Sequence, residues 1–205
     1  MTVAGRAALS ILVGTTTAAP ARAQDSIVFV LAADSRFEVK TGKSGLFSFA
    51  GHEHLIRAHH VTGRIVLFAG DPARSHVEIV VPTDSLEVLT PPDTEEIRKV
   101  TAALRTEVLD VADFPEIRFA STVVAPAPGG LHVTGTLTIV GQSREVSADV
   151  QTAMGTDTLR ATGGFAVKQT AFGIRPYRGG PGNIVRVADQ VTFQFEATGV
   201  RAGSP

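Results

Sequence analysis

The segment L-H-V-T-G-T-L-T-I-V at residues 131–140 alternates between apolar and polar side chains. Successive side chains of an extended strand point to opposite faces, so the apolar positions would share one face. Those positions are Leu131, Val133, Leu137 and Ile139. One apolar face and one polar face predict a strand of an antiparallel sheet, with the core on one side and water on the other.

The same period of two recurs along the rest of the chain and predicts further strands. It is found in R-F-E-V-K at 36–40, H-V-E-I-V-V at 76–81, R-E-V-S-A-D-V at 144–150, T-L-R-A-T-G-G-F-A-V-K at 158–168 and V-T-F-Q-F-E-A at 191–197. Turn-forming residues lie between strands, at 69–72, 125–130, 140–143 and 154–157. Short connections predict a meander, and about eight such strands close most readily as a barrel. A two-sheet sandwich would give a similar pattern and remains open from the sequence alone.

One segment, residues 93–109, breaks this period. Its apolar positions are spaced by three or four residues, as on one side of an amphipathic helix: Ile97, Val100, Leu104 and Val108. Asp93 and Glu96 form a predicted capping box, and Pro115 prevents the helix from continuing. We expect this single helix to cover an end or a side of the barrel.

The first 23 residues have the pattern of a cleaved export signal. Arg6 precedes a run of small and apolar residues, and Ala21 and Ala23 give a small-x-small cleavage site before Gln24. The sequence therefore predicts one domain over residues 24–205, in the periplasm of a bacterium. The chain has no cysteine, so packing must stabilise this domain without disulfides.

Composition and motifs argue against several function classes. A net charge of −1 with scattered basic residues is not typical of a nucleic-acid-binding protein. Cysteine nucleophiles are absent, the G-K-S-G segment at 42–45 does not have the spacing of a nucleophile elbow, and the acidic residues fall mainly on polar strand faces. We therefore predict a protein that is not an enzyme and has no transmembrane segment after signal removal.

Four of the six histidines lie within nine residues: His52, His54, His59 and His60. In an extended segment His52 and His54 would share a face, and two or three imidazoles can bind zinc, copper or nickel. The alternative is a turn whose imidazoles are hydrogen-bonded to the backbone, since H-x-H is an unspecific pattern. Metal binding by His52 and His54 stays open at this point, and no metal site is assigned.

The predicted inward faces of the strands carry mainly aliphatic and aromatic side chains. Phenylalanine occurs eleven times, and tryptophan is absent. The interior of an eight-stranded barrel is either just filled by side chains or holds one small ligand. Several predicted inward positions are small, which would leave volume for an apolar chain: Gly135, Ala148, Ala161 and Gly163.

Six segments along the chain form a recognisable combination: D-S-R-F-E-V at 34–39, G-R-I at 63–65, V-L-D-V-A-D-F-P-E-I-R-F at 108–119, L-H-V-T-G-T-L-T-I-V-G-Q-S-R-E-V at 131–146, T-A-F-G-I at 170–174 and V-A-D-Q-V-T-F-Q-F at 187–195. Taken together, they resemble the YceI-like polyisoprenoid-binding family of exported bacterial proteins. The resemblance implies a lipocalin-like antiparallel β-barrel with one helix that holds a long isoprenoid or similar lipid.

We therefore predict a periplasmic carrier that sequesters an apolar ligand and needs no cofactor other than a bound isoprenoid or other lipid. The candidate ligand-binding residues are Phe37, Phe119, Leu137, Phe165, Phe172 and Phe193. Two alternatives are a metal-binding or metal-delivery protein that uses the histidines, and a non-catalytic stress-response module with a filled barrel. The oligomeric state, including a homodimer, is left open.

Overall fold

The structure is a computed structural model that describes residues 26–43, 54–90, 94–179 and 185–203. The predicted export signal lies outside the described residues, so its cleavage stays a prediction.

β-strands make up most of the described chain. They are β1 (Ile27–Leu31), β2 (Arg36–Lys43), β3 (Leu55–Ala58), β4 (Thr62–Leu67), β5 (His76–Pro82), β6 (Leu86–Val88), β7 (Glu116–Ala127), β8 (Gly130–Ile139), β9 (Gln142–Met154), β10 (Thr158–Lys168), β11 (Arg178–Gly179) and β12 (Val185–Arg201). Burial alternates along β8 as the sequence predicted. Val133, Leu137 and Ile139 are buried, and the threonines between them are half-buried.

The strands form a closed antiparallel barrel with eight positions around its wall. Three positions are each occupied by two short strands that lie end to end: β1 with β2, β3 with β4, and β5 with β6. β7, β8, β9, β10 and β12 occupy the others in chain order. The long strand β12 pairs with β10 along one edge and with β1 and β2 along the other, which closes the sheet. The predicted barrel is confirmed and the sandwich is excluded, because the hydrogen-bonded ladder closes on itself.

The two ends of the barrel differ. At one end, here called the turn end, tight turns connect β7 to β8 and β9 to β10. At the other, here called the helix end, the chain between β6 and β7 contributes the helix, and a 3-10 turn at Gln169–Phe172 follows β10. The turn end also has a 3-10 turn at Pro72–Arg74 between β4 and β5, so the helix is the feature that distinguishes the two ends.

The predicted helix forms over nearly the whole predicted segment, and its last turn is π-helical. Helix α1 spans Thr94–Ala103 and continues as a π-helical turn at Leu104–Val108, where the amide of Leu109 donates to the carbonyl of Leu104 at 2.9 Å. Asp110 then adopts a left-handed conformation with φ of 46°, which ends the helix five residues before Pro115. No helix among the described residues is long and apolar enough to cross a membrane.

The helix end of the barrel is packed with hydrophobic side chains. Leu109 is buried there with Ile139, Phe172 and Ile174, and Leu104 and Val108 pack against them. The predicted role of the helix as a cover for the barrel end is therefore confirmed. The side chains of Asp93 and Glu96 lie outside the described residues, so the capping box stays a prediction.

Two predicted loop segments contain more strand than expected. β7 runs to Ala127 and β8 begins at Gly130, so only residues 128–129 of the predicted turn at 125–130 leave the ladder. The segment R-P-Y-R-G-G-P-G-N at 175–183 has four consecutive glycines and prolines, which predict an irregular loop. Within it, Arg178 and Gly179 pair with Arg186 and Val185 as β11 and the start of β12. Both predictions therefore assigned strand residues to a turn or loop. At these positions, backbone pairing with a neighbouring strand outweighs the weak strand preference of proline and glycine.

Candidate functional site

The barrel contains an interior cavity of about 260 Å³. Side chains from all eight wall positions line it, and nearly all of them are aliphatic or aromatic. The helix contributes Leu104 and Leu109 at one end, and Leu131 and Leu159 border it toward the turn end. An apolar cavity of roughly 150 Å³ in another protein stays dry and binds benzene, so this cavity has room for part of a hydrocarbon ligand.

Packed hydrophobic clusters lie toward both ends of the cavity. Toward the turn end, Phe29 is fully buried among Ile65, Leu67 and Leu159. Toward the helix end, Leu109 and Phe172 are buried with Ile139 and Ile174. The cavity is therefore an internal chamber of the sheet.

Two stacked phenylalanine pairs form one side of the chamber. Phe37 and Phe195 are directly opposed on β2 and β12, with ring centroids 6.0 Å apart. Phe165 and Phe193 are opposed on β10 and β12, with centroids 5.0 Å apart and an interplanar angle of 4°. The aromatic wall, defined by these four residues, presents a broad carbon surface to the cavity.

All six side chains predicted to bind a ligand line this cavity: Phe37, Phe119, Leu137, Phe165, Phe172 and Phe193. They come from six different segments of the chain, and barrel closure brings them together. Phe172 is 1% exposed, because the 3-10 turn after β10 folds its ring into the helix-end cluster. Their role in binding stays a prediction.

Other lining residues were not among the predicted site residues. They include Val39, Ile56, Val77, Ile79, Val146, Val167, Val191 and Phe195. Most follow the same period of two, so the alternation that located the phenylalanines also carried the signal for these aliphatic positions. Ile56 lies on the four-residue strand β3, which is too short to give a clear alternation.

The expectation that small inward residues leave volume was wrong at two of the four positions. A Cβ atom at Gly135 would lie 2.5 Å from the ring of Phe119, and one at Gly163 would lie 2.7 Å from the ring of Phe195. The phenylalanine rings therefore occupy the space above these glycines, as aromatic side chains do over glycine in sheets. Ala148 and Ala161 do border the cavity, as expected.

A charged pair lies on the barrel wall beside the cavity. Arg57 on β3 donates from Nε and Nη2 to Oε1 of Glu38 on β2, at 2.9 and 2.6 Å. The two residues are directly opposed in the ladder, and the Glu38 side chain is only 15% exposed. The pair joins β2 to β3 and neutralises the carboxylate on this part of the wall.

A carboxylate anchors the 3-10 turn that contains Phe172. The backbone amide and the hydroxyl of Thr170 both donate to Asp189 on β12, at 2.9 and 2.8 Å. These hydrogen bonds, the backbone one first, lower the pKa of Asp189 below its ordinary value of 3.8 because they stabilise its charged form. Gly173 ends the turn in a left-handed conformation with φ of 75°.

The described histidines do not converge on one point. His54 is hydrogen-bonded through Nδ1 to the backbone carbonyl of Thr90 at 2.7 Å, as the turn alternative predicted. His59 is paired through Nε2 with Glu87 at 2.6 Å on the outer surface. Within the described ranges, no group of three His, Cys, Asp or Glu side chains is placed to hold a metal ion. His52 lies outside those ranges, so the question of a His52–His54 site stays open.

Comparison with known proteins agrees with this architecture. The model of the YceI-like domain matches residues 32–199, which is most of the chain. The chain belongs to the YceI-like family. No curated protein matches it.

Solved structures similar to this YceI-like chain share its fold at low sequence identity. BcnA from Burkholderia cenocepacia has a TM-score of 0.65 and 20% identity, over 81% of this chain and 96% of that one. A polyisoprenoid binding domain from Saccharophagus degradans, implicated in plant cell wall breakdown, has a TM-score of 0.60 and 12% identity, over 85% and 98%. The YceI protein of Campylobacter jejuni has a TM-score of 0.55 and 14% identity, over 73% and 85%.

Proposed function

We propose that this YceI-like protein is an exported, non-catalytic carrier that binds a long apolar ligand inside its barrel. The observation that carries the proposal is the internal chamber of about 260 Å³ lined by carbon. Transfer of hydrocarbon from water contributes about 0.8 kcal/mol per methylene, so the chamber can bind a chain without charged groups. A stress-response module with a filled barrel fits this interior less well.

A polyisoprenoid or a similar lipid is the ligand class that we propose. The similarity to the polyisoprenoid binding domain from Saccharophagus degradans supports this class, together with the aromatic wall. Branched isoprenoid chains present methyl groups and planar double bonds, which pack well on phenylalanine faces. The export signal predicted from the sequence, with cleavage before Gln24, supports a periplasmic location, where such a carrier would keep an insoluble chain out of water.

Native mass spectrometry of the freshly purified protein tests this function. We expect a bound mass that is removed by extraction with organic solvent and restored by an added isoprenoid alcohol. Purified protein that carries no lipid and takes up none would contradict the proposal. The same spectrum reports a metal or a dimer, and a metal that is lost in His54→Ala would favour the histidine alternative.

A pair of aspartate substitutions separates cavity binding from surface adsorption. Phe165→Asp places a charge in the chamber and should abolish uptake, because a buried unpaired carboxylate is strongly unfavourable. Ala153→Asp places the same group on the exposed outer face of β9 and should leave uptake unchanged. Circular dichroism of both variants identifies any loss of folding, and equal uptake by both folded variants would exclude binding inside the barrel.

A further inference from the structure

The ladder between β9 and β10 is incomplete. Pairing runs from Leu159 opposite Met154 to Gly163 opposite Val150 and stops there. Both strands continue beyond this point, since β9 still pairs with β8 down to Gln142 and β10 still pairs with β12 up to Lys168. The wall is therefore split between residues 142–149 and 164–168, although both segments remain strands.

The gap between β9 and β10 is closed at both of its ends, so it does not reach the end of the barrel. It is called the window below. The last ladder pair, Gly163 with Val150, bounds it on one side. The 3-10 turn at Gln169–Phe172 bounds it on the other, held to β12 by Asp189 and passing beside Gln142 of β9. The five residues of β10 that lack a β9 partner give a window roughly 16 Å long at about 3.3 Å per residue.

The window is open to solvent on its outer side. Ser147 on β9 and Ala166 and Lys168 on β10 are exposed. A surface groove follows the split and is lined by residues of both strand edges together with Ala171 and Phe172. The backbone groups that would have paired across the split are therefore accessible to water, as unpaired backbone groups must be.

The groove lies next to the internal chamber. Five residues line both: Val146, Ser147, Phe165, Val167 and Phe172. Phe165 also belongs to the aromatic wall, so one ring borders the groove and the deepest apolar surface. The window is therefore the place where a surface groove meets the chamber across a gap in the hydrogen-bonded wall.

We propose that the window between β9 and β10 is a lateral portal through which an apolar chain enters and leaves the barrel. The portal rests on the proposed carrier function and adds its route of access. A hydrocarbon tail would pass between Val146 and Val167 and then contact the Phe165 ring inside. Entry through a gap in the wall needs no separation of the helix from the barrel end.

Site-specific modification of β10 tests the portal. The chain has no native cysteine, so Ala166→Cys and Thr162→Cys each provide a single thiol. Both positions are exposed and point outward on the same strand, but Thr162 lies in the paired half and Ala166 borders the window. Each thiol is coupled to a polyethylene glycol maleimide, and uptake of all-trans-retinol, a fluorescent isoprenoid alcohol, is followed by stopped-flow fluorescence.

Modification at residue 166 should slow uptake and release by about tenfold while the equilibrium affinity stays the same, because access changes and the chamber does not. Modification at residue 162 should leave both rates unchanged. Equal rates for the two modified proteins would overturn the portal while leaving the carrier function intact. If the unmodified parent does not take up retinol, the carrier function fails, and the portal fails with it.

A reversible cross-link provides a second measurement. Ser147→Cys combined with Ala166→Cys places one thiol on each edge of the window. A bis-maleimide with a cleavable disulfide spacer should slow retinol uptake by about tenfold when it bridges the two strands, and reduction should restore the rate. Unchanged uptake by the bridged protein would also overturn the portal.

Discussion

The rings of Phe165 and Phe193 stack almost face to face across β10 and β12, with centroids 5.0 Å apart and planes 4° from parallel. The two residues are direct partners in the ladder, so the geometry of the sheet imposes this contact. The same pair lines the chamber, and Phe165 also borders the window. One cross-strand contact therefore stabilises the barrel and shapes its binding surface.

A double-mutant cycle should show that these two rings are coupled. Phe165→Leu and Phe193→Leu each retain an apolar side chain but lose the stacking, so we expect a coupling free energy of about 1 kcal/mol. Urea denaturation of the wild type, both single variants and the double variant measures it. As a control, Phe29→Leu combined with Phe165→Leu should be additive, because Phe29 belongs to the separate turn-end cluster. A cycle that closes without coupling would mean that the rings stabilise the sheet independently.

Gly135→Ala should destabilise the fold by about 2 kcal/mol, because the added methyl group overpacks the wall. The new Cβ would lie 2.5 Å from the carbonyl oxygen of Ala120 and 2.5 Å from the Phe119 ring. Combining it with Phe119→Leu should recover part of the loss by removing the ring. Gly42→Ala is the matched control, since the nearest atom to its Cβ would be 3.3 Å away. Denaturation midpoints of the four proteins provide the test, and a neutral Gly135→Ala would contradict this account of the wall.

Val140→Asn should stabilise the protein by about 1 kcal/mol. Val140 and Gly141 form the turn between β8 and β9 with φ values of 43° and 69°. A β-branched residue is strained at positive φ, whereas Asn-Gly is the preferred pair for a two-residue hairpin turn of this kind. Val140 also packs against the helix-end cluster, so thermal denaturation measures the balance of strain and packing. A lower melting temperature would show that the packing contribution is the larger one.

The Asp189 carboxylate should make stability depend on pH in the acid range. Its pKa in the folded state is lowered by the hydrogen bonds from Thr170, so the charged form stabilises the fold above the ordinary carboxyl pKa of 3.8. This contribution is lost as the pH falls through the lower pKa of the folded state. Asp189→Asn should therefore lower stability at neutral pH and lose less stability than the wild type on acidification. Urea denaturation at neutral and acidic pH measures this difference.

Asp84→Asn serves as the control for this measurement, because Asp84 is an exposed carboxylate in a different 3-10 turn. It should follow the wild type across the same pH range. An Asp189→Asn protein with the acid sensitivity of the wild type would show that the Thr170 contacts contribute little to folding.

The inward-facing side chains of the strands were predictable from the local pattern of residues. In β8 and β10 the alternation placed Leu137 and Phe165 on the apolar face without reference to any partner strand, because side-chain direction in a strand is a local property of the backbone. The amphipathic helix was predictable because the spacing of its apolar residues is also a local property of the chain. Its last turn was not, since the π-helical turn at Leu104–Val108 occurs where the helix packs on the barrel end.

The filled and empty parts of the interior could not be predicted in this way, because they depend on how the strands pack together. Gly135 predicts volume as an isolated residue, but Phe119 from the neighbouring strand β7 covers it. The pairing of β9 with β10 also stops after Gly163, although the alternation continues to Val167. Volume and strand separation depend on contacts between strands, and the period of two within one strand carries no information about those contacts.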